Sequence, residues 1–281
     1  LGGFFGAIHG RGRGRVGRTA IVEFARLLAS AACGAAAHVG GAFPARLFLL
    51  GGRLLVGLLF VGLLRGFLGV RLVDGRIGVI VSVDGGLIGH VVGGLSGGSL
   101  YRQSSFLLDS LGKQILPQFL SLREEPHIPR AWSSTYFDSE GVATRPRFVI
   151  ENGIVQGYFL SSYSARKLGM QTTANAGGAH NLILNATCGS QAELLRQMGT
   201  GLLVTELMGQ GVNMLTGDYS RGAAGFWVEN GVIQYPVEEI TVAGRLQDML
   251  LGIEGVADDA LRRSSHKVGS ILIGSMTVAG Q

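Results

Sequence analysis

The chain has 281 residues, of which 47% are hydrophobic and 15% charged, with a formal net charge of +5. That composition supplies a core for one large or two ordinary domains and excludes an intrinsically disordered chain. Two cysteines, Cys33 and Cys188, neither in a CxxC pair, exclude a disulfide-stapled scaffold.

The charge is unevenly spread. Residues 1–100 hold ten Arg and no Lys against Glu23, Asp74 and Asp84, whereas residues 101–281 hold fourteen basic and sixteen acidic groups. Residues 1–85 also lack Asn, Gln, Met, Tyr and Trp, residue types that natural domains use at turns and surfaces. The missing types mostly have A- or T-rich codons, so this composition predicts an out-of-frame reading of a GC-rich gene upstream of about residue 86. Resequencing the gene and peptide mass spectrometry test that expectation. Two other readings of this stretch are weaker. Leu54–Leu64 is an apolar run of eleven residues closed by Arg53 and Arg65, too short for a membrane span of about twenty. The Arg-Gly run Arg11–Arg15 lacks the interleaved aromatics of an RNA-binding arm. Neither a nucleic-acid nor a membrane partner is expected.

From residue 86 onward ordinary turn and core patterns appear. Arg145–Ile150, Glu151-Asn152-Gly153 and Ile154–Leu160 predict a β-hairpin, because Asn-Gly accepts the positive φ angles of a type I′ turn. The pattern recurs with Phe226–Val228, Glu229-Asn230-Gly231 and Val232–Tyr235. A short helix is predicted from Ser162 or Ser164 through Leu168, stopped by Gly169. Ser190-Gln-Ala-Glu193 fits a capping box for a helix carrying Leu194, Leu195 and Met198 and ending at Gly199. Leu202–Leu207 and Glu238–Val242 read as strands, Gly209–Gly225 as a glycine-rich connection, Arg245–Leu251 as a helix and Val268–Val278 as a strand pair.

No HExxH, paired-Cys zinc pattern, phosphate loop or dinucleotide fingerprint is present, and no two of the six histidines share a helical i, i+4 spacing. The connection lacks the Lys and Ser/Thr of a phosphate loop, which leaves Asp218, Tyr219 and Arg221 as candidate contacts to a peptide or partner chain. Ser162–Lys167 offers serines near a lysine but no strand-turn elbow to expose a nucleophile. Ala176–His180 reads as a turn.

Together, SGGSLYRQSSFLLDSLGKQILP at 96–117, FDSEGVATRPR at 137–147, SSYSARKLGM at 161–170, the stretch from Met198 to Gly244 and the closing Val278–Gln281 resemble the C-terminal domain of the PmbA/TldE branch of the TldD/PmbA metallopeptidase family, also called modulators of DNA gyrase. The resemblance covers residues 86–281. It implies an α+β fold, mainly twisted antiparallel β-sheet with a few short helices, preceded by an atypical segment at 1–85. It also implies a cytoplasmic, non-catalytic subunit that pairs with a TldD-like subunit and acts on peptides and unfolded proteins. The catalytic branch carries HExxxH on a helix and a later Cys as zinc ligands. Laid on that motif, Gly89 stands for the first His, His90 for the Glu and Gly94 for the second His, and no Cys follows Cys188. The resemblance thus implies no cofactor in this chain and zinc in the partner subunit. Two alternatives stay open: a stand-alone metallopeptidase in which His90, His180 and His266 converge on a metal, and a truncated, non-functional fragment.

Overall fold

The computed structural model describes residues 75–82 and 86–280. The Leu54–Leu64 run and the Arg11–Arg15 arm lie outside the described residues. Among the described residues eleven strands and five short helices follow one another: β1 (Gly75–Val81), α1 (Gly86–Gly94), α2 (Gly97–Tyr101), β2 (Leu122–Glu124), β3 (Arg147–Glu151), β4 (Ile154–Val155), α3 (Ser162–Lys167), β5 (Leu182–Leu184), α4 (Gln191–Met198), β6 (Gly201–Met208), β7 (Asp218–Glu229), β8 (Val232–Arg245), α5 (Leu246–Leu251), β9 (Ile253–Val256), β10 (His266–Lys267) and β11 (Ile271–Ala279). The α+β class expected from the sequence is the observed one. No described helix is long and apolar enough to cross a membrane.

The larger sheet runs β1-β6-β7-β8-β11, with β9 beside one half of β11. Because β11 also pairs with β1, antiparallel from Gly75↔Val278 to Val81↔Ile271, the five long strands close into a barrel. Closure satisfies the backbone groups that an open sheet would leave at its edges. The sequence of β1 suits this position on both faces: Val79 joins the main core and Ile80 joins a second cluster with Leu194, Leu203, Val228 and Leu272. The second cluster lies under α4, and the main core takes Leu87, Ile88 and Val91 of α1. The sheet therefore begins at Gly75, ahead of the composition-based boundary near residue 86. The smaller sheet, β10-β5-β2-β3-β4, adds Leu122, Val149, Ile150, Leu182 and Leu184 to the same core.

Both Asn-Gly turns form, and the second joins two long strands as predicted, but the first hairpin's return strand is only Ile154–Val155, short of the expected Ile154–Leu160. Asn152 and Gly153 have φ of 50° and 79°, and Asn230 and Gly231 have 52° and 72°, which is the left-handed pair that a tight hairpin needs. The α4 helix runs from its Ser190 cap to Gly199, but Glu193 reaches the amide of Gly189 (2.8 Å) and not that of Ser190. The cap of α3 is Ser161, whose hydroxyl and that of Ser164 close a capping box. Ser164 is thereby committed to the helix start, which leaves it no role as a nucleophile.

Two expectations need correction. Val268–Val278 is not a strand pair: β10 joins β5 in the smaller sheet, and β11 is one continuous strand of the barrel. The glycine-rich connection ends at Gly217, since Gly222 and Gly225 are ladder residues of β7. Gly225 lies so near β6 that a Cβ there would meet the Leu203 carbonyl oxygen at 1.9 Å, so close strand packing, and not a turn, requires this glycine.

Candidate functional site

The sequence places four glycines in α1, at positions 86, 89, 93 and 94, and the helix holds because its apolar face is buried, not through propensity. Gly89 faces open space, with nothing within 4 Å of a notional Cβ. Gly94 is buried, and a Cβ there would lie 3.0 Å from Leu107 Cδ1 and 3.1 Å from Phe106 Cε1. Gly94 thus allows the chain after α2 to pack against the helix.

His90 is half-buried on α1 and meets β7. Its ring stands edge-on to Tyr219, with centroids 6.0 Å apart and planes at 76°. Strand alternation puts Arg221 on the same face of β7 as Tyr219 and turns Asp218 to the other side. Three residues chosen separately along the chain (His90, Tyr219 and Arg221) therefore form one cluster. Asp218 does not join it; its carboxylate accepts from the Thr216 hydroxyl at 2.6 Å and is exposed.

Electrostatics follow from this packing. Burial, and then the charge of Arg221, lower the pKa of His90 from 6.5, so the imidazole is held neutral. Burial raises the Tyr219 phenol, against the opposing pull of Arg221. The Arg221 guanidinium donates through Nη2 to the Leu207 carbonyl at 3.3 Å, while its buried Nε has no partner. Among the described residues Arg221 forms no ion pair. The cluster therefore offers N–H and O–H donors to an incoming carbonyl or carboxylate.

The donor set does not fit zinc. A catalytic zinc needs three protein ligands, and among the described residues no three His, Cys, Asp or Glu side chains come together to hold a metal ion. His180 is tied to the Ala174 carbonyl (3.0 Å) before β5, and His266 lies in β10. Cys188 packs beside the second core cluster, its Sγ 3.6 Å from the Ser190 and Val256 carbonyls. A positive guanidinium beside His90 adds repulsion toward any cation.

Sequence reading missed one polar centre. Glu124 of β2 is buried, pairs with Arg147 Nε at 2.7 Å and accepts from Asn175 Nδ2 (2.7 Å) and the His180 amide (2.9 Å). Nearby, the Asp138 carboxylate accepts from the amides of Glu140, Val142 and Ala176. Burial alone would raise the Asp138 carboxyl, but these amides and His180 hold it below its ordinary range. The two centres pin the loops around the smaller sheet.

A closed barrel whose core takes in the apolar face of α1, joined to a small second sheet, is the frame that carries this cluster. The chain belongs to the PmbA/TldA metallopeptidase C-terminal domain family, whose model matches residues 76–280. It is 61% identical over 197 residues to the metalloprotease PmbA homolog of Haemophilus influenzae, covering 69% of this chain and 44% of that one. The metalloprotease TldD homolog of the same organism is 26% identical over 182 residues, covering 61% of this chain and 37% of its own length. A crystal structure from Bacteroides thetaiotaomicron that bears the name modulator of DNA gyrase superposes with a TM-score of 0.72 at 30% identity, covering 75% of this chain and 48% of that one. The chain spans less than half the length of these relatives.

Proposed function

We propose that this chain carries the C-terminal domain of a non-catalytic, TldE-type subunit, which pairs with a TldD-like subunit in a zinc-dependent peptidase acting on peptides and unfolded proteins in the cytoplasm. The observation that carries this reading is the ligand poverty of α1: Gly89 and Gly94 bring no donor atoms, and His90 is held neutral against Tyr219 and Arg221. Hydrolysis then depends on zinc in the partner. The two Haemophilus influenzae relatives support a pairing of branches, one organism holding both a PmbA and a TldD homolog.

In this reading no step of hydrolysis runs through this chain. Tyr219 and Arg221 orient a carbonyl or carboxylate of the bound peptide or of the partner, and exposed strand edges hold an extended substrate by β-augmentation. Co-expression with a TldD-like protein tests it: stoichiometric co-purification, with peptide cleavage lost when the partner's zinc ligands are removed, is expected. Zinc bound at one equivalent by this chain alone, with cleavage, would overturn it.

Two partly buried histidines, His90 of the cluster and His266 of β10, set a pH response. His90 and His266 both have pKa values lowered from 6.5, by burial first and for His90 also by Arg221. Below pH 6.5 the unfolded chain takes up protons that the folded chain resists, so this stability is present above 6.5 and is lost as pH falls toward the folded values. The melting temperature is expected to decline between pH 7.5 and 5.5. The double variant His90→Gln, His266→Gln is expected to decline less steeply, and equal slopes would refute the assignment.

A further inference from the structure

A recess of about 340 Å³ opens where β11 falls out of register with both of its neighbours β1 and β9. The β1–β11 register shifts between Ile77 and Val79. In the β9–β11 ladder Leu272 pairs with Gly255 and Ile273 with Ile253, so Glu254 has no residue opposite it. A bulge re-aims the side chain of its extra residue, and bulges gather beside functional sites. Here the re-aimed side chain is Glu254, which lines the recess together with Gly78 and Gly274. A Cβ at Gly274 would collide with the Glu254 carboxylate, so that glycine leaves the room in which the carboxylate stands.

The polar groups that an occupant can reach here are acceptors. Glu254 is exposed, and among the described residues no cation pairs with its carboxylate and no N–H or O–H donates to it. The Gln197 side chain spends its Nε2 on the Glu254 backbone carbonyl at 3.1 Å. Helix α4 ends at the recess with Gln197 and Met198. The Thr200 amide folds back onto the Met198 carbonyl at 2.8 Å, so the last carbonyls of α4 keep open lone pairs at the negative end of the helix dipole. The exposed Thr200 hydroxyl accepts as well. Ile77, Met198 and the buried Leu272 supply the apolar part of the wall. A free carboxylate and further acceptors beside apolar surface suit an aliphatic stem with a cationic, donor-rich head. The volume stands at the lower end of the range for small-ligand pockets, about 300–1,000 Å³. Several acceptors around one carboxylate favour a guanidinium over an ammonium, because its donors point outward in a planar fork.

We propose that this recess binds the arginine side chain of a peptide, with Glu254 as its counter-charge. That the arginine belongs to a substrate peptide rests on the peptidase-subunit reading above; the recess, the bulged carboxylate and the free acceptors do not. The site shares no lining residue with the His90, Tyr219 and Arg221 cluster, and its chemistry is the opposite one. That cluster presents donors to a carbonyl or carboxylate, whereas this recess presents acceptors to a cation. It supplies side-chain selectivity, where strand edges would read backbone alone.

The test uses the full 281-residue chain, isotope-labelled and without a partner subunit, titrated with an N-acetylated, C-amidated tripeptide, Ser-Arg-Ser, and followed by its backbone amide resonances. Saturable shifts at Thr200, Glu254 and Gly274 are expected, with millimolar affinity. Replacing the peptide arginine by citrulline, which keeps the shape and removes the charge, is expected to weaken binding about fivefold to tenfold. Glu254→Gln should weaken it to the same extent with an unchanged melting temperature. Glu238→Gln, exposed on β8 and outside the recess, should leave the affinity as it is. Absence of saturable shifts, equal binding of the citrulline peptide, or full affinity in Glu254→Gln would each overturn the proposal. An equal loss in Glu238→Gln would overturn it too, by reducing the effect to net charge. Failed peptide binding together with intact co-purification with a TldD-like protein removes this site alone. Peptide binding without co-purification removes the subunit reading and keeps the site.

Discussion

Replacing Glu124 by alanine is expected to destabilise the domain by about 3–5 kcal/mol, among the largest losses any single side chain here should cause. The carboxylate is 1% exposed and holds Arg147, Asn175 and the His180 amide together. Its removal leaves the Arg147 guanidinium, itself 16% exposed, without its counter-charge, and strands two donors. Arg147 cannot simply swing to solvent, because it also stacks on the Phe159 ring at 5.3 Å and donates to Asn175 Oδ1. A surface ion pair would cost far less: Arg123 with Glu125, half exposed on the arginine side, should contribute under about 1 kcal/mol. Urea denaturation of the two alanine variants, Glu124→Ala and Glu125→Ala, separates these cases. Similar midpoints for both would show that the buried network does not hold the smaller sheet. The double change Glu124→Leu, Arg147→Met should recover much of the loss, since replacing a buried pair by apolar side chains is often close to neutral.

Why this network escaped the sequence, while the hairpins did not, is a matter of range. Asn152-Gly153 and Asn230-Gly231 announce turns through backbone preferences contained in two residues. Gly169 and Gly199 stop helices in the same local way, both at positive φ. Glu124, Arg147, Asn175 and His180 are spread over more than fifty positions, and nothing in their spacing joins them until β2, β3 and β5 pair. Barrel closure was equally hidden, because it needs β1 beside both β6 and β11, the far ends of the described chain. The candidate site was half legible. Tyr219 and Arg221 stood out as polar groups in a glycine-rich stretch, yet their common face, and the exclusion of Asp218 from it, follow only once that stretch is a strand. That His90 meets them depends on α1 packing against β7 across 129 residues of chain, a distance over which periodicity carries no signal. The resemblance to a peptidase helix directed attention to Gly89, His90 and Gly94. The packing reason for Gly94, against Phe106 and Leu107, required coordinates.

That packing leads to the second large effect. Writing the HExxxH pattern into α1, as Gly89→His, His90→Glu and Gly94→His, is expected to yield a less stable protein that still holds no stoichiometric zinc. Position 89 tolerates the change, having open space where a side chain would emerge. Position 94 does not: Leu107 and Phe106 already stand 3.0 and 3.1 Å from a notional Cβ, and the rest of an imidazole must push them aside at a cost of about 1–3 kcal/mol or more. Geometry adds a second obstacle. Residues five apart are turned about 140° from each other on an ideal helix of 3.6 residues per turn, so the two imidazoles converge only if α1 distorts. Chemistry adds a third, since a third ligand is still needed and Cys188 is engaged beside α4, with Sγ at 3.6 Å from two carbonyls. Differential scanning calorimetry should show the stability loss in Gly94→His alone and little change in Gly89→His. Plasma mass spectrometry of the purified triple variant should find well under one zinc per chain. One tightly bound zinc with peptide hydrolysis would mean that α1 lies closer to a working centre than its surroundings indicate, and that three side chains, and not the packing beneath them, decide whether this helix takes a metal.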